Sequence, residues 1–474
     1  MSVAQQPGFH ENLVKQGGTR NNPAAAAGCV SPSPRHTRNP NPVPENVAGD
    51  VIRMATTPKT IDESLELTDA AIGFVDNPHE ILARIRHDAP VCRVRYKGVP
   101  VWLVTRYADV RQALLDPRLA SDPRHATGPA RDAPWVFAAD SHLVTRNLIR
   151  CDPPDHTRLR KAVVGEFSAQ RVEALRPHVE HAVHELIDEF LPAGRADLIA
   201  DFGRRLPMAV ISEVLGVPVE DGDRFADLTA IWIGTNADDD GLVPAALTEM
   251  REYLTGLVRQ KRSGESSRYG VLDRLVDPGQ PSTLTEAEIV AMGFLLLVAG
   301  FETAANLIGN AVLSLLRNPA QLALLIREPA RIGPAIDEFL RFDGPIKVSP
   351  TLRFTTAEIS LGGVTIPGGG EPVLLTHGAA NRDPAQFPDP DRLDVCRDSS
   401  RHLAFGHGAH HCLGARLAKL EGEVGLGALL ARCRNLALAV PAETVPWARS
   451  RFIRGLRELP VTFDPVTVRR EDHR

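Results

Sequence analysis

No two of the six cysteines, Cys29, Cys92, Cys151, Cys396, Cys412 and Cys433, stand in a C-x-x-C pair. That argues against a disulfide framework or a structural zinc site, and at least five of them are expected to be inert, small apolar side chains. Positive charge is not in excess either. With 54 Lys and Arg against 59 Asp and Glu the net charge is −5, so no general attraction to nucleic acid or anionic lipid is implied and any basic patch must be local. The opening residues lack the charged-then-apolar order of a secretory signal, and no apolar run reaches the roughly 20 residues that span a bilayer. A cytoplasmic protein with no membrane span is expected. The longest apolar run, Ile289 to Phe301, has the length of a buried core helix.

What is present is organised in three parts. Residues 1–53 are rich in Pro, Asn, Gly, Ala and Ser and hold few large apolar side chains, so they cannot offset the entropy of ordering and are expected to be a disordered leader. Patterning begins at Met54, a candidate alternative start, and continues to about residue 466, with a polar tail at 467–474. Between them the pattern is mainly helical, with short strands expected at Val91 to Tyr96, Val101 to Val104 and Ile359 to Ile366. The most legible element is a helix from Glu286 to Arg317. Thr285 and Glu288 form a capping-box pattern, and Asn318-Pro319 stops it. Its length of roughly 48 Å and its apolar surroundings near Phe294 to Val298 predict a helix through the middle of the molecule.

Three motifs carry chemistry. In the segment from His402 to Cys433, a glycine-rich loop ends in Cys412 just before a long helical run. A thiolate there meets unpaired backbone N–H groups and the positive end of a helix dipole, which stabilise its charge and tune it as a metal donor. In the long helix, Ala299-Gly300-Phe301-Glu302-Thr303 sets two small residues one turn before an acid and an alcohol, although a glycine costs a helix interior up to about 1 kcal/mol. Glu338-Phe339-Leu340-Arg341 puts a carboxylate and a guanidinium on one helical face. Taken singly, each has an ordinary structural explanation: a buried cysteine, a helix crossing and a surface ion pair.

Together they resemble the cytochrome P-450 family, over nearly everything from Met54 to Asp464. Phe405, Gly408, His410, Cys412 and Gly414 match its F-x-x-G-x-[HR]-x-C-x-G signature, and 299–303 match its [AG]-G-x-[DE]-T motif. The resemblance is strongest to the soluble actinobacterial branch that includes macrolide hydroxylases. It implies a mainly α, single-domain, triangular-prism fold with a small β region, holding one haem b whose axial ligand is Cys412. Ala299 and Gly300 would widen the central helix over the iron, where Glu302 and Thr303 would deliver protons. His156 and Arg160 of the Asp152-Pro153-Pro154-Asp155-His156 entry, with Arg353 and His410, would hold the propionates. Glu338 and Arg341 would be joined by Arg392 in a trio that holds the haem loop; Leu393, next to it, stands where phenylalanine is usual.

The same resemblance implies electrons from NAD(P)H through a ferredoxin reductase and ferredoxin, with no reductase domain fused. Arg158, Lys161, Arg401, Arg416 and Lys419 are the candidate docking cations. Substrate contacts would come from the loop around Trp135, from Phe294 and Val298, from Ile346, Lys347 and Val348, and from Phe452 and Ile453. These are largely apolar, which suits a hydrophobic secondary metabolite such as a macrolide or polyketide; Lys347 stands out as a possible partner for a substrate carboxylate or carbonyl. The expected reaction is hydroxylation or epoxidation with dioxygen. Oxidative ring closure without oxygen insertion, peroxide-driven oxidation and a non-enzymatic haem sensor are the alternatives, and the acid-alcohol pair favours dioxygen.

Overall fold

The computed structural model describes residues 61–68, 72–74, 77–136, 143, 147–233, 241–264, 270–277, 279, 284–450 and 452–466. The leader at 1–53 and the tail at 467–474 lie outside them, as does most of the loop after Trp135. Over the described residues the chain is mainly α with three small sheets.

The central helix runs Glu286–Leu316 and starts as its sequence requires. Thr285 Oγ1 accepts from the Glu288 backbone N–H, while the Glu288 carboxylate accepts from the Thr285 N–H at 2.8 Å. Both orphan donors are thereby satisfied. It is long and apolar enough to cross a membrane, but it is largely buried inside the protein, packed against helices Arg205–Leu215, Val243–Ser263, Ile332–Asp343 and Ala415–Arg432. Its apolar character serves the core.

The strands, in chain order, are β1 (Val91–Tyr96), β2 (Val99–Val104), β3 (Leu119–Ala120), β4 (Arg195–Asp197), β5 (Arg353–Thr355), β6 (Ile359–Leu361), β7 (Val364–Ile366), β8 (Pro372–Leu375), β9 (Cys433–Leu438) and β10 (Pro460–Pro465). The largest sheet has the order β1-β2-β8-β5-β3, in which only β2 and β8 run parallel. The expected strand Ile359 to Ile366 is in fact the β6–β7 hairpin. Gly362 and Gly363 both take positive φ, 55° and 81°, and reverse the chain between two three-residue strands.

Hydrophobic packing falls into separate clusters. The largest surrounds the central helix; another lies under β1 and β2 and takes in Val348, Leu352 and Phe354. Phe452 packs against both. One polar group sits badly in the larger region: Glu421 of the Ala415–Arg432 helix is buried, and its Oε2 has no hydrogen-bond partner. Burial pushes its carboxyl up to about 8.

A carboxyl whose pKa is higher in the folded chain contributes stability below its unfolded value, and that contribution is lost as pH rises through about 8. The isosteric Glu421→Gln variant should therefore melt higher than the unchanged protein at pH 9, by about 2 °C or more, and show no such advantage at pH 5. A melting series across that range checks this. Equal differences at both ends would remove Glu421 as the cause.

Candidate active site

The cysteine loop is shaped by its glycines. Gly406 and Gly408 lie in the left-handed region at φ 70° and 73°, and a Cβ on Gly408 would stand 2.9 Å from the Leu114 carbonyl oxygen. The Cys412 N–H donates to the Phe405 carbonyl at 2.8 Å, which folds the loop back on itself. Gly414 then caps the Ala415–Arg432 helix. Its φ is −83° and nothing lies within 4 Å of where its Cβ would be, so neither backbone strain nor packing demands glycine.

Cys412 is accessible to solvent, yet burial among surrounding protein raises its thiol pKa, against the pull of the Gly414 N–H and of Arg160. Both hold if the thiol faces an internal space. Ala299 shows a similar exposure in the central helix. It is exposed in the middle of a helix whose neighbours Phe294, Val298 and Phe301 are buried.

The expected anion anchors converge. The rings of His156 and His410 lie 4.2 Å apart between centroids, Ser121 Oγ is 3.0 Å from His410 Nε2, and the Arg353 guanidinium donates to the same hydroxyl. Burial first, then Arg353, lowers His410 to about 2, so it is neutral at pH 7 and acts through a hydrogen bond. Burial lowers Arg353 to about 10, which still leaves it charged. His156 Nε2 is buried with no partner. The nearby carboxylate, Asp152, is occupied by the backbone N–H groups of Ser121 and Asp122. A buried guanidinium and an orphaned imidazole nitrogen with no free counter-anion beside them suit the carboxylates of a bound group. Arg160 is placed differently, donating to the His411 carbonyl at 2.8 Å beside the cysteine loop.

These residues fit a haem. Cys412 would be the thiolate ligand, and His156, His410, Arg353 and Ser121 would hold the propionates. Ser121 carried no signal in the sequence, since it is 289 residues from the histidine it pairs with.

The acid-alcohol motif is only partly as expected. Thr303 Oγ1 donates to the Ala299 carbonyl at 2.7 Å, and Asn306 Nδ2 holds Glu302 through its carbonyl at 2.7 Å and its Oε1 at 3.3 Å. Burial raises the Glu302 carboxyl above its ordinary range, opposed in part by Arg204 and by the Asn306 hydrogen bond. Arg204, another residue missed in the sequence, also stacks over Phe301. Gly300 needs correcting. A Cβ there would stand 2.8 Å from Ile211 Cδ1, so this glycine lets the central helix cross Arg205–Leu215 closely, and Ala299 is the position turned to the open side.

The trio also needs correcting. Arg341 clasps Glu338 with Nε at 2.6 Å and Nη2 at 2.8 Å, both side chains fully buried. The third cation is Arg397, at 3.4 Å from Glu338 Oε1. Arg392 instead turns outward, 68% exposed, to Asp394, and gives the cluster only its backbone carbonyl. The outward arginine stands five residues from the half-buried one, and spacing could not choose between them. Ser399 Oγ, at 2.5 Å, and the Asp394 N–H, at 2.9 Å, complete the shell around Glu338.

Lys347 is not free for a substrate. Its Nζ donates to the Ser450 carbonyl at 2.7 Å and lies over the Phe74 ring. The other apolar candidates do gather: Ile346 bridges Ile453, the Lys347 N–H donates to the Phe452 carbonyl at 2.9 Å, and Val348, Phe452 and Trp135 share one cluster. Phe294 packs edge-on to Trp232 at 5.4 Å, with Val298 a turn further on.

The chain matches the sequence profile named Cytochrome P450 over residues 333–445. It is 42% identical over 392 residues to the vitamin D(3) 25-hydroxylase of Pseudonocardia autotrophica, covering 83% of this chain and 95% of that one. Against the cytochrome P450 monooxygenase PikC of Streptomyces venezuelae it is 42% identical over 404 residues, covering 84% and 94%. The solved structure of the P450 monooxygenase TamI with tirandamycin C superposes with a TM-score of 0.76 at 38% identity, over 84% of this chain and all of that one.

Breaking a buried pair by removing one partner costs about 3–5 kcal/mol. Arg397→Ala should therefore lower haem retention and melting temperature, whereas Arg392→Ala should leave both close to those of the unchanged protein. Haem content per chain and thermal melting decide this, and the reverse ranking would restore Arg392 to the trio.

Proposed function

Because the chain belongs to the cytochrome P450 family and takes haem b, we propose that this monooxygenase uses dioxygen and electrons from a ferredoxin to hydroxylate or epoxidise a hydrophobic secondary metabolite of the macrolide or polyketide kind. The carrying observation is the open side of the central helix, where Ala299 is exposed next to the acid-alcohol pair Glu302 and Thr303. Bound haem supplies the reductive activation of dioxygen and the transfer of one oxygen atom to substrate.

The chain's own residues divide the remaining work. Cys412 would hold the iron as thiolate, its charge favoured by the Gly414 N–H and by Arg160 against the cost of burial. Glu302, kept above its usual range by burial, would take up and release a proton; Asn306 holds it in place and the charge of Arg204 favours its ionised form. Thr303 can turn its hydroxyl from the Ala299 carbonyl toward the reacting face. The apolar set of Phe294, Val298, Ile346, Val348, Phe452 and Ile453, with Trp135, supports recognition by shape. The relative named vitamin D(3) 25-hydroxylase, and TamI, solved with tirandamycin C bound, support a natural-product substrate.

The docking cations narrow. Arg158 is paired with Glu288 and Asp155, and Lys419 with Asp337, whereas Lys161, Arg401 and Arg416 are exposed. An acidic ferredoxin would meet these three near the cysteine loop. This reading places the protein in the cytoplasm, where NAD(P)H is available.

A library of apolar natural products, titrated while watching the Soret band for a low-to-high-spin shift, identifies the substrate class; no response from any macrolide or polyketide would overturn that class. Glu302→Gln should lower kcat on the order of a hundredfold with the spectral shift retained. Thr303→Ala should divert reducing equivalents to hydrogen peroxide, measured as peroxide released per NAD(P)H. Arg416→Glu should raise the KM for ferredoxin and flatten its dependence on salt, while Arg158→Glu should do so less. Equal effects from both would disperse the patch.

A further inference from the structure

A cavity of about 350 Å³ is lined by no residue of the cysteine loop. It is bounded by the start of helix Pro78–Asp88, the C-terminal end of the central helix, the end of helix Ile332–Asp343, Arg382, Trp447 and Arg454. Its charge is one-sided. Three guanidinium groups, Arg317, Arg382 and Arg454, line it against one carboxylate, Asp343, an excess of two positive charges among the described lining residues. His79 adds none at pH 7: burial, then Arg382, lowers its imidazole to about 4, and its Nε2 lies 2.9 Å from Asp343 Oδ1. Asp391 pairs with Arg382 at 2.9 Å but is 71% exposed, so water screens it.

Two of the arginines are fixed in place before any ligand arrives. The Arg454 guanidinium lies over the Trp447 ring at 3.1 Å from its centroid, with Nε 3.2 Å from Asp343. Arg382 lies over Phe342 at 4.3 Å and donates from Nε to that residue's carbonyl at 2.8 Å. Stacked and hydrogen-bonded in this way, they lose little further freedom on binding. Arg317 differs, being exposed at the rim with one donor on the Ala442 carbonyl. It is the arm that could close over a ligand.

We propose that this cavity is a binding site for a phosphoryl dianion, either inorganic phosphate or a small phosphomonoester. Two negative charges match the local excess, and tetrahedral phosphoryl oxygens match planar guanidinium donors arriving from different sides. The volume admits a phosphate with a short organic substituent and excludes a large ligand. The site is independent of the oxygenation reaction. One link from it to the apolar set runs through Arg454, whose N–H donates to the Pro345 carbonyl next to the Ile346–Ile453 bridge.

The test is calorimetric titration of the haem-loaded full chain, at constant ionic strength held by chloride, with inorganic phosphate and separately with glycerol 3-phosphate. Saturable one-site binding of at least one is expected, weakened about tenfold or more in Arg317→Glu. Arg317→Gln, which only removes the charge at an exposed position, should fall between the two and guards against a folding defect. Phosphate binding alone assigns the site to the free ion, and tighter binding of glycerol 3-phosphate assigns it to a monoester. No saturable binding of either, or binding unchanged in both variants, overturns the proposal.

Discussion

A carboxylate that never meets water governs how this chain reaches its cysteine. Glu338 is fully buried, and such a charge is tolerated only if its oxygens are met by donors from several directions. Arg341 supplies two of them from one turn along the same helix, the Asp394 N–H and the Ser399 hydroxyl supply two more from the loop that follows, and Arg397 adds a second positive charge at 3.4 Å. The guanidinium of Arg341 in turn donates to the carbonyls of Asn381 and Pro390. A long irregular stretch is thereby given fixed points by one ion pair. The Phe405–Cys412 turn follows directly from that stretch, so the position of the sulfur is set by groups that take no part in its chemistry.

The haem anchors show the opposite economy. Arg353 is buried as a cation without a carboxylate directly on it, and His156 presents an unpaired nitrogen. Such an arrangement is unfavourable by itself and becomes favourable when anions arrive, which makes cofactor binding and completion of the fold parts of one equilibrium. His410, held neutral by burial and by the cations around it, adds a directed hydrogen bond without adding to their repulsion.

Much of this was legible in the sequence wherever the determining partners are close along the chain. The Thr285 and Glu288 cap, the Glu338 and Arg341 clasp and the cysteine turn are each local, and each formed as its residues imply. Errors arose where the choice of partner is made across space. Arg392 and Arg397 are equivalent by spacing, and only packing sends one inward. Gly300 sits in a motif that suggests an open space, yet Ile211, from a helix 89 positions earlier, explains it. Lys347 stands out in the sequence as a cation among apolar pocket candidates, yet its acceptor, the Ser450 carbonyl, is 103 residues away.

Phe452 belongs to two packing units at once, the cluster around the central helix and the one beneath the large sheet. A residue shared in this way is a point of evolutionary leverage and of constraint together. Changing its size alters the contour presented to an apolar ligand in a single step, but both units must accommodate the new shape. Divergence in ligand preference within such a lineage would then proceed through linked changes, with Val348 on one side and Ile453 on the other altering in company with Phe452. The history of one aromatic ring would be written in its neighbours.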